Sequence, residues 1–218
     1  MTKMKGPIIN SWYLHLFGKM HGRLVHRRRV DVLAERVKSL LPADSMLLDI
    51  GCGDGTIAKH LAQTVPGLKV TGAEYSPRPN CAIPCVSFDG AHLPFADKSF
   101  DGCMFVDVLH HSTDPLLILR DASRVSRNFI LIKDHVAENA LDHWILRLMD
   151  WAGNRPHGVV LPYAYLSKEQ WRTLYGGAGL TEKTIDRAIP LYPAPFSWIF
   201  GGELHFISLL TVDPKAEN

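Results

Sequence analysis

Residues 47–55, Leu-Leu-Asp-Ile-Gly-Cys-Gly-Asp-Gly, run an apolar strand straight into a turn with glycine at every second position. Leu47, Leu48 and Ile50 suit a strand covered on both faces, as in a parallel sheet. Gly51, Gly53 and Gly55 let the backbone take positive φ and leave no side chain between chain and ligand. A helix pattern begins at Thr56. Strand, glycine turn and helix in that order specify an α/β fold. The carboxyl edge of such a strand is where open α/β sheets bind nucleotide-like molecules.

A dinucleotide-binding turn wants G-x-G-x-x-G, which delivers a pyrophosphate to a helix N-terminus. Here the third glycine comes one residue early, and Thr56 stands where the dinucleotide glycine would be. Asp49 and Asp54 flank the turn with carboxylates that repel a pyrophosphate but hold a cationic amine. A turn that merely closes a strand–helix connection would use glycine as well. Lys69 to Ala73 reads as a second strand, ended by Glu74 about twenty residues past the glycines, where a carboxylate accepts both ribose hydroxyls of an adenosine. Phe88-Asp89-Gly90, Leu93-Pro94-Phe95 and Ser99-Phe100-Asp101 follow in order. Asp101 to Asp107 reads as a fourth strand, leading into Val108-Leu-His-His111 and Thr113-Asp114-Pro115.

These runs resemble the class I S-adenosylmethionine (SAM) methyltransferases, in the substrate-diverse group related to the ubiquinone and menaquinone methyltransferases. The glycine turn is similar to their motif I, the middle runs to "D-A-x-x-L-P-F-x-D-x-S-F-D", and the last to "L-H-H-x-x-D-P". The resemblance covers residues 46–134. It implies an α/β, Rossmann-like, doubly wound sheet of seven strands, in the order 3-2-1-4-5-7-6, with the last strand antiparallel and helices on both faces. It implies SAM as cofactor, S-adenosylhomocysteine as product, and no metal. Carried over residue by residue, Asp49, Gly51, Cys52 and Gly53 shape the methionine end of the cofactor site. Glu74 takes the ribose, Asp89 the adenine, and Val106 with Asp107 the floor, with Tyr75 and Gly90 also counted among the cofactor-binding residues.

Two departures stand out. Relatives carry a full helix between the second and third strands, but Ser76-Pro-Arg-Pro79 and Pro84 leave room only for a loop or one turn. Before the fifth strand the usual "L-K-P-G-G" is replaced by Val125-Ser-Arg-Asn128, so that connection must be built differently.

The 218 residues, 46% of them apolar, suit one globular methyltransferase domain. We divide it into an N-terminal helical lid (1–42), a SAM-binding core (43–135), and substrate-side helices with the last strands (136–218). No stretch reaches the roughly 20 apolar residues of a membrane span, and the start lacks a signal-peptide core, so a cytoplasmic location is expected. Cys52 and Cys103, in a turn and a buried strand, suit reduced thiols. Cys81 and Cys85 have no second ligand pair at zinc spacing, so no metal site is expected.

A net charge of +2 argues against nucleic acid as the main partner. The basic run Arg23 to Arg29 lies in a predicted helix from about Trp12 to Leu41 and reads as a solvated face, with Val25, Val32, Leu33, Val37 and Leu40 inward. Trp12, Leu14, Leu16 and Phe17 just before it leave open peripheral membrane contact through that helix. A monomer and a homodimer are both compatible with the sequence.

Further along, Pro115 to Ser126 is a predicted helix with Asp114 as N-cap, and Phe129 to Lys133 a fifth strand ending at Asp134 and His135. Glu138 to Ala152 is amphipathic, Ser167 to Gln170 is a capping box, and Thr181 to Ile189 and Leu204 to Val212 are the last strands. In the implied topology the apolar connection Pro190 to Glu203 hangs over the active-site side. With the N-terminal helix and Trp144 to Tyr165 it supplies Tyr13, Trp144, Trp151, Tyr163, Tyr165, Phe196 and Trp198 to a lid, either lining an apolar substrate pocket or forming a separate cluster.

Methyl transfer needs an in-line acceptor and, for a hydroxyl or acidic carbon, a general base. Asp134 and His135 after strand five are the preferred candidates, with His110 and His111 after strand four behind them; His15, His21 and His157 are unplaced. The expected acceptor is O, C or N of a small hydrophobic or aromatic metabolite. RNA or protein methylation, and SAM binding without transfer in a regulator, are the alternatives.

Overall fold

The computed structural model describes residues 27–154, 163–194 and 197–212. Helix α1 covers 27–38 among them. Then follow β1 (Met46–Ile50), α2 (Thr56–Thr64), β2 (Lys69–Glu74), β3 (Cys85–Ser87), β4 (Phe100–Val106) and a 3₁₀ turn (Leu109–His111). Next come α3 (Pro115–Val125), β5 (Ser126–His135), α4 (Ala140–Asn154), α5 (Lys168–Gly177), β6 (Leu180–Asp186), α6 (Ser197–Phe200) and β7 (His205–Val212).

The strands form one seven-stranded sheet in the order β3-β2-β1-β4-β5-β7-β6. The first five pair in parallel, while β7 runs antiparallel to both β5 and β6. Parallel strands need covered faces, and the alternation of side chains supplies two. Leu48, Ile50, Cys103, Phe105, Ile130, Ile132, Phe206 and Leu210 pack on one face with Ile118, Leu119, Trp171 and Tyr175 of α3 and α5. Leu47, Met104, Leu131 and Ile207 point to the other face, against Leu33, Val37, Ala58 and Leu61 of α1 and α2. Chain order reverses at β1: its sheet neighbours are β2 and β4, which opens a crevice beyond the carboxyl ends of β1 and β4.

Local signals set the helix ends. Asp114 Oδ1 accepts the Leu117 amide at 3.0 Å, and Pro115 takes the first helical position of α3. Ser167 and Gln170 close a reciprocal capping box on α5. Residues 75–84 between β2 and β3 contain no helix, in keeping with their prolines.

The connection at Val125-Ser-Arg-Asn128 has no loop at all. Helix α3 ends at Val125 and β5 starts at Ser126, three residues earlier than the sequence pattern predicts. Ser126 Oγ donates to the Phe129 carbonyl at 2.8 Å, and a register shift between Phe100 and Gly102 absorbs the extra length. Gly102 permits this because the Phe129 ring occupies the space a side chain would need. Strand β6 ends at Asp186 rather than Ile189. No helix among the described residues is long and apolar enough to cross a membrane. The expectations for Trp12, Tyr13, Leu14, His15, Leu16, Phe17, His21, Val25, His157 and Phe196 lie outside the described residues.

Candidate active site

The carboxyl edge of β1 and β2 is built around the glycine turn. Gly51, Gly53 and Gly55 have φ of 73°, 59° and 72°, a region that β-carbons resist. A Cβ on Gly51 would lie 2.5 Å from Val108 Cγ2, so this glycine is needed for packing as well as conformation. A Cβ on Gly53 would meet nothing within 4 Å; it faces open space. The Gly53 amide donates to Glu74 Oε2 at 2.8 Å, and Ser76 N approaches Oε1 at 3.4 Å. Asp49 is buried below the turn, and burial, reinforced by the Glu74 charge, pushes its carboxyl up to about 7. Two carboxylates beside an open cradle, with each Glu74 oxygen retaining an unused lone pair, fit a cofactor that carries an ammonium and a ribose.

The other sequence-derived cofactor residues divide. Tyr75 is exposed and its ring lies 3.5 Å from where a Cβ on Gly90 would sit, so these two residues border one another. Asp89 accepts the amides of Ala91 and His92 at 2.8 and 2.6 Å and pairs with His92 Nδ1 at 3.0 Å; these bonds lower its carboxyl to about 2. Asp54 Oδ1 accepts Thr56 N at 3.0 Å just ahead of α2. Cys52 Sγ lies 3.5 Å from Cys85 Sγ, and Cys81 joins them within 4.8 Å, a thiol trio drawn from three separate segments.

At the ends of β4 and β5 the chain buries a polar cluster. Asp107, at φ 56°, accepts from Arg29 of α1 and from Lys133 of β5. Burial opposes its charge, yet Lys133 and Arg29 hold its carboxyl well below the usual range. The Lys133 side chain is only 1% exposed. Its ammonium also faces His205 Nδ1 at 3.4 Å, while His205 Nε2 lies 3.1 Å from the Phe200 carbonyl. A carbonyl only accepts, so His205 carries its proton on Nε2. Burial first, then Lys133, keeps it neutral.

Asp134, fully buried, is the hub. Its Oδ1 is approached by His110 Nδ1 at 2.6 Å, His135 N at 2.8 Å and His135 Nδ1 at 3.2 Å; its Oδ2 accepts Leu109 N at 3.1 Å. Burial raises the cost of its charge, but these donors, His110 foremost, hold its carboxyl far below the ordinary value. Its role in this geometry is to fix both imidazoles. His135 faces carboxylates through Nδ1, so that nitrogen bears the proton and Nε2 keeps a lone pair. Burial and Lys133 lower the His135 pKa, leaving a neutral ring. His110 differs: burial opposes protonation, but Asp134, with Asp107 and Asp150, raises its pKa. Trp171 Nε1 fixes the strand end by donating to the His135 carbonyl at 3.0 Å.

The predicted trio His110, Asp134 and His135 thus comes together, as does the predicted set Asp49, Gly51, Gly53 and Glu74. Val106 is half-buried on the α1–α2 face of the sheet. The aromatic lid splits. Tyr165 turns inward and donates its hydroxyl to Asp150, whereas Trp144, Trp151 and Trp198 face outward. Arg27 and Arg28 are exposed as the solvated-face expectation had it, whereas half-exposed Arg29 turns its guanidinium onto Asp107. Sequence reasoning missed Arg29, Lys133, Asp150 and His205. A lysine within Phe-Ile-Leu-Ile-Lys was the available signal, because an apolar strand accepts a cation only against a buried anion.

Residues 48–128 match the family described as "Methyltransferase domain". The chain is 33% identical over 110 residues to the 27-O-demethylrifamycin SV methyltransferase of Amycolatopsis mediterranei, covering 44% of this chain and 40% of that one. It is 34% identical over 130 residues to methyltransferase GfsG of Streptomyces halstedii, covering 53% and 46%. The chain spans less than half the length of these curated relatives. A Thermotoga maritima structure described as a SAM-dependent methyltransferase, possibly a histamine N-methyltransferase, superposes with TM-score 0.66 at 22% identity over 91% of this chain and 99% of its own. That likeness extends the fold well past the matched segment. The methyltransferase-domain match at 48–128 thus lies within a seven-stranded sheet whose order is the one the resemblance to class I SAM-dependent methyltransferases implies.

Proposed function

We propose that this protein binds SAM over the carboxyl edge of β1 and β2 and transfers its methyl group to oxygen, carbon or nitrogen of a small, hydrophobic or aromatic molecule. The observation that supports this best is two chemistries on a single sheet edge. Glu74 holds the open turn at Gly53 above buried Asp49, and a buried His135–Asp134 dyad stands at the end of β5. Asp49 and the glycine turn hold the methionine end, Glu74 the ribose, and Tyr75 with Asp89 and Gly90 border the adenine. The cofactor supplies a sulfonium methyl that is already activated for displacement.

The chain's own tasks are to align the acceptor and to manage its proton. His135 is the base in this scheme: neutral, with Nδ1–H held by Asp134 and the Nε2 lone pair available. Asp134 is a positioning residue, since its oxygens are taken by four donors. The Amycolatopsis relative is named for 27-O-demethylrifamycin SV, which supports an acceptor that is neither RNA nor protein.

Transfer of label from methyl-tritiated SAM into lipid, quinone and phenol pools, against RNA and protein, tests the acceptor class. Label confined to RNA or protein overturns it, and SAM binding with no label in any pool makes the protein a non-catalytic binder. His135→Ala should cut turnover by about 10² or more while SAM affinity stays unchanged. Wild-type turnover in that variant removes His135 as base.

A further inference from the structure

Beside the His135–Asp134 dyad lies a second group of acceptor atoms that methyl transfer as proposed does not use. His110 Nε2, His111 Nδ1 and a carboxylate oxygen of Asp150 lie within 4.8 Å of one another. His110 is 2% exposed and Asp150 8%. His110 Nε2 and His111 Nδ1 are both buried, and neither has a hydrogen-bond partner among the described residues. A buried polar nitrogen left unmet costs about 1–3 kcal/mol. Two that converge on one carboxylate call for an occupant.

The surroundings say what the occupant is. The other nitrogen of His110 lies 2.6 Å from Asp134 Oδ1, so its proton is directed there and Nε2 is turned toward the gap. A carboxylate behind a histidine in this way is the outer-shell arrangement of a metal ligand. Asp150 is held by the Tyr165 hydroxyl, also an outer-shell contact. Charge points the same way. Asp107 has Arg29 and Lys133, and Asp134 has His110, whereas Asp150 has the neutral Tyr165 and an imidazole nitrogen 3.5 Å away. Donor atoms around a tetrahedral ion stand about 3.3 Å apart. His110 and Asp150 are already at that spacing, and a side-chain rotation of half-buried His111 closes the remainder.

We infer that His110, His111 and Asp150 bind one divalent first-row transition-metal ion, through two imidazole nitrogens and one carboxylate oxygen. That donor set suits zinc, cobalt(II) or iron(II) and not magnesium or calcium. Three protein ligands leave a coordination position for an exogenous oxygen. If the methyl-transfer function above holds, the acceptor class narrows to molecules whose reacting hydroxyl coordinates the ion. Coordination lowers the pKa of such a hydroxyl and makes its proton easier for His135 to remove. The sequence shows no zinc spacing because adjacent histidines on a 3₁₀ turn meet an aspartate thirty-nine residues later on α4.

Cobalt(II) titration of the metal-stripped full chain, followed by its visible d–d absorption, tests the site. We expect one ion per chain and at least about tenfold weaker binding in His111→Ala and in Asp150→Asn, with SAM affinity unchanged in both. Cobalt binding of wild-type strength in both variants overturns the inference, as does the absence of any d–d band. A thiolate-to-cobalt band that Cys85→Ser abolishes would place the ion on the thiol trio and also overturns it. Calorimetry with SAM on the same samples separates the two levels. SAM binding without cobalt binding removes only the metal, while cobalt binding without SAM binding removes the methyltransferase function.

Discussion

The Gly53 amide donates to Glu74 Oε2 across 2.8 Å, so the end of β2 holds the glycine turn of β1 in place. The bond joins two residues of the proposed cofactor site. It gives Glu74 a structural duty before any ligand arrives. Asp49, buried on the strand below, feels the Glu74 charge, so two acidic groups lie close together at this sheet edge.

Gly51 and Gly53 should therefore fail differently on substitution by alanine. Both adopt positive φ, which costs roughly 1 kcal/mol for a residue with a β-carbon. Gly51→Ala adds a collision with Val108 and should lower stability by about 2 kcal/mol or more in urea unfolding. Gly53→Ala should keep most of its stability and lose SAM affinity, because its methyl projects into the open cradle. Equal loss of stability in the two variants would refute this division of roles.

Asp49 should make SAM binding depend on pH. Its carboxyl is raised to about 7, by burial first and Glu74 second. Between the unfolded value near 4 and 7 the folded state holds a proton that the unfolded chain has released. Stability of the ligand-free protein should thus fall as pH rises through that window. The cationic cofactor favours the carboxylate, so its binding expels the proton. Calorimetric affinity should rise about tenfold from pH 6 to 7.5, with proton release on binding. Asp49→Asn should flatten the profile. A pH-independent affinity in the wild type would show that Asp49 does not face the cofactor charge.

Asp107 and Lys133 should be unequal partners. Asp107→Asn leaves Lys133 buried beside Arg29 with no anion in hydrogen-bonding contact, and should cost about 3 kcal/mol in urea unfolding. Lys133→Met removes the buried cation but leaves Asp107 its bond from Arg29, and should change stability by about 1 kcal/mol or less. The reverse order would mean that Arg29 does not compensate Asp107.

The cofactor edge was legible because its demands are local. A strand, three glycines and two carboxylates at fixed spacing determine both backbone and charge at Asp49, Gly53 and Glu74. The sheet order came from resemblance, and the observed pairing agrees with it. The α3–β5 junction was not legible, because it depends on a register shift at Gly102 and the bulk of Phe129 across the sheet. The polar cluster at the ends of β4 and β5 was half legible. Strand ends nominated His110, Asp134 and His135, but Arg29, Asp150 and His205 reach the cluster from α1, α4 and the start of β7, at separations that no motif spans. Arg29 was hidden by its own neighbours, since a basic run reads as surface until one member finds a buried anion.

The most direct measurement is calorimetric titration of the purified chain with SAM, in the wild type and in Glu74→Ala, at pH 7.5. The account predicts one SAM per chain and at least about tenfold weaker binding in the variant, which loses a charge-assisted contact of about 1.5–3 kcal/mol and, without the Gly53 bond, unfolds at a somewhat lower urea concentration. No binding by the folded wild type, or equal affinity in a folded Glu74→Ala, would contradict it.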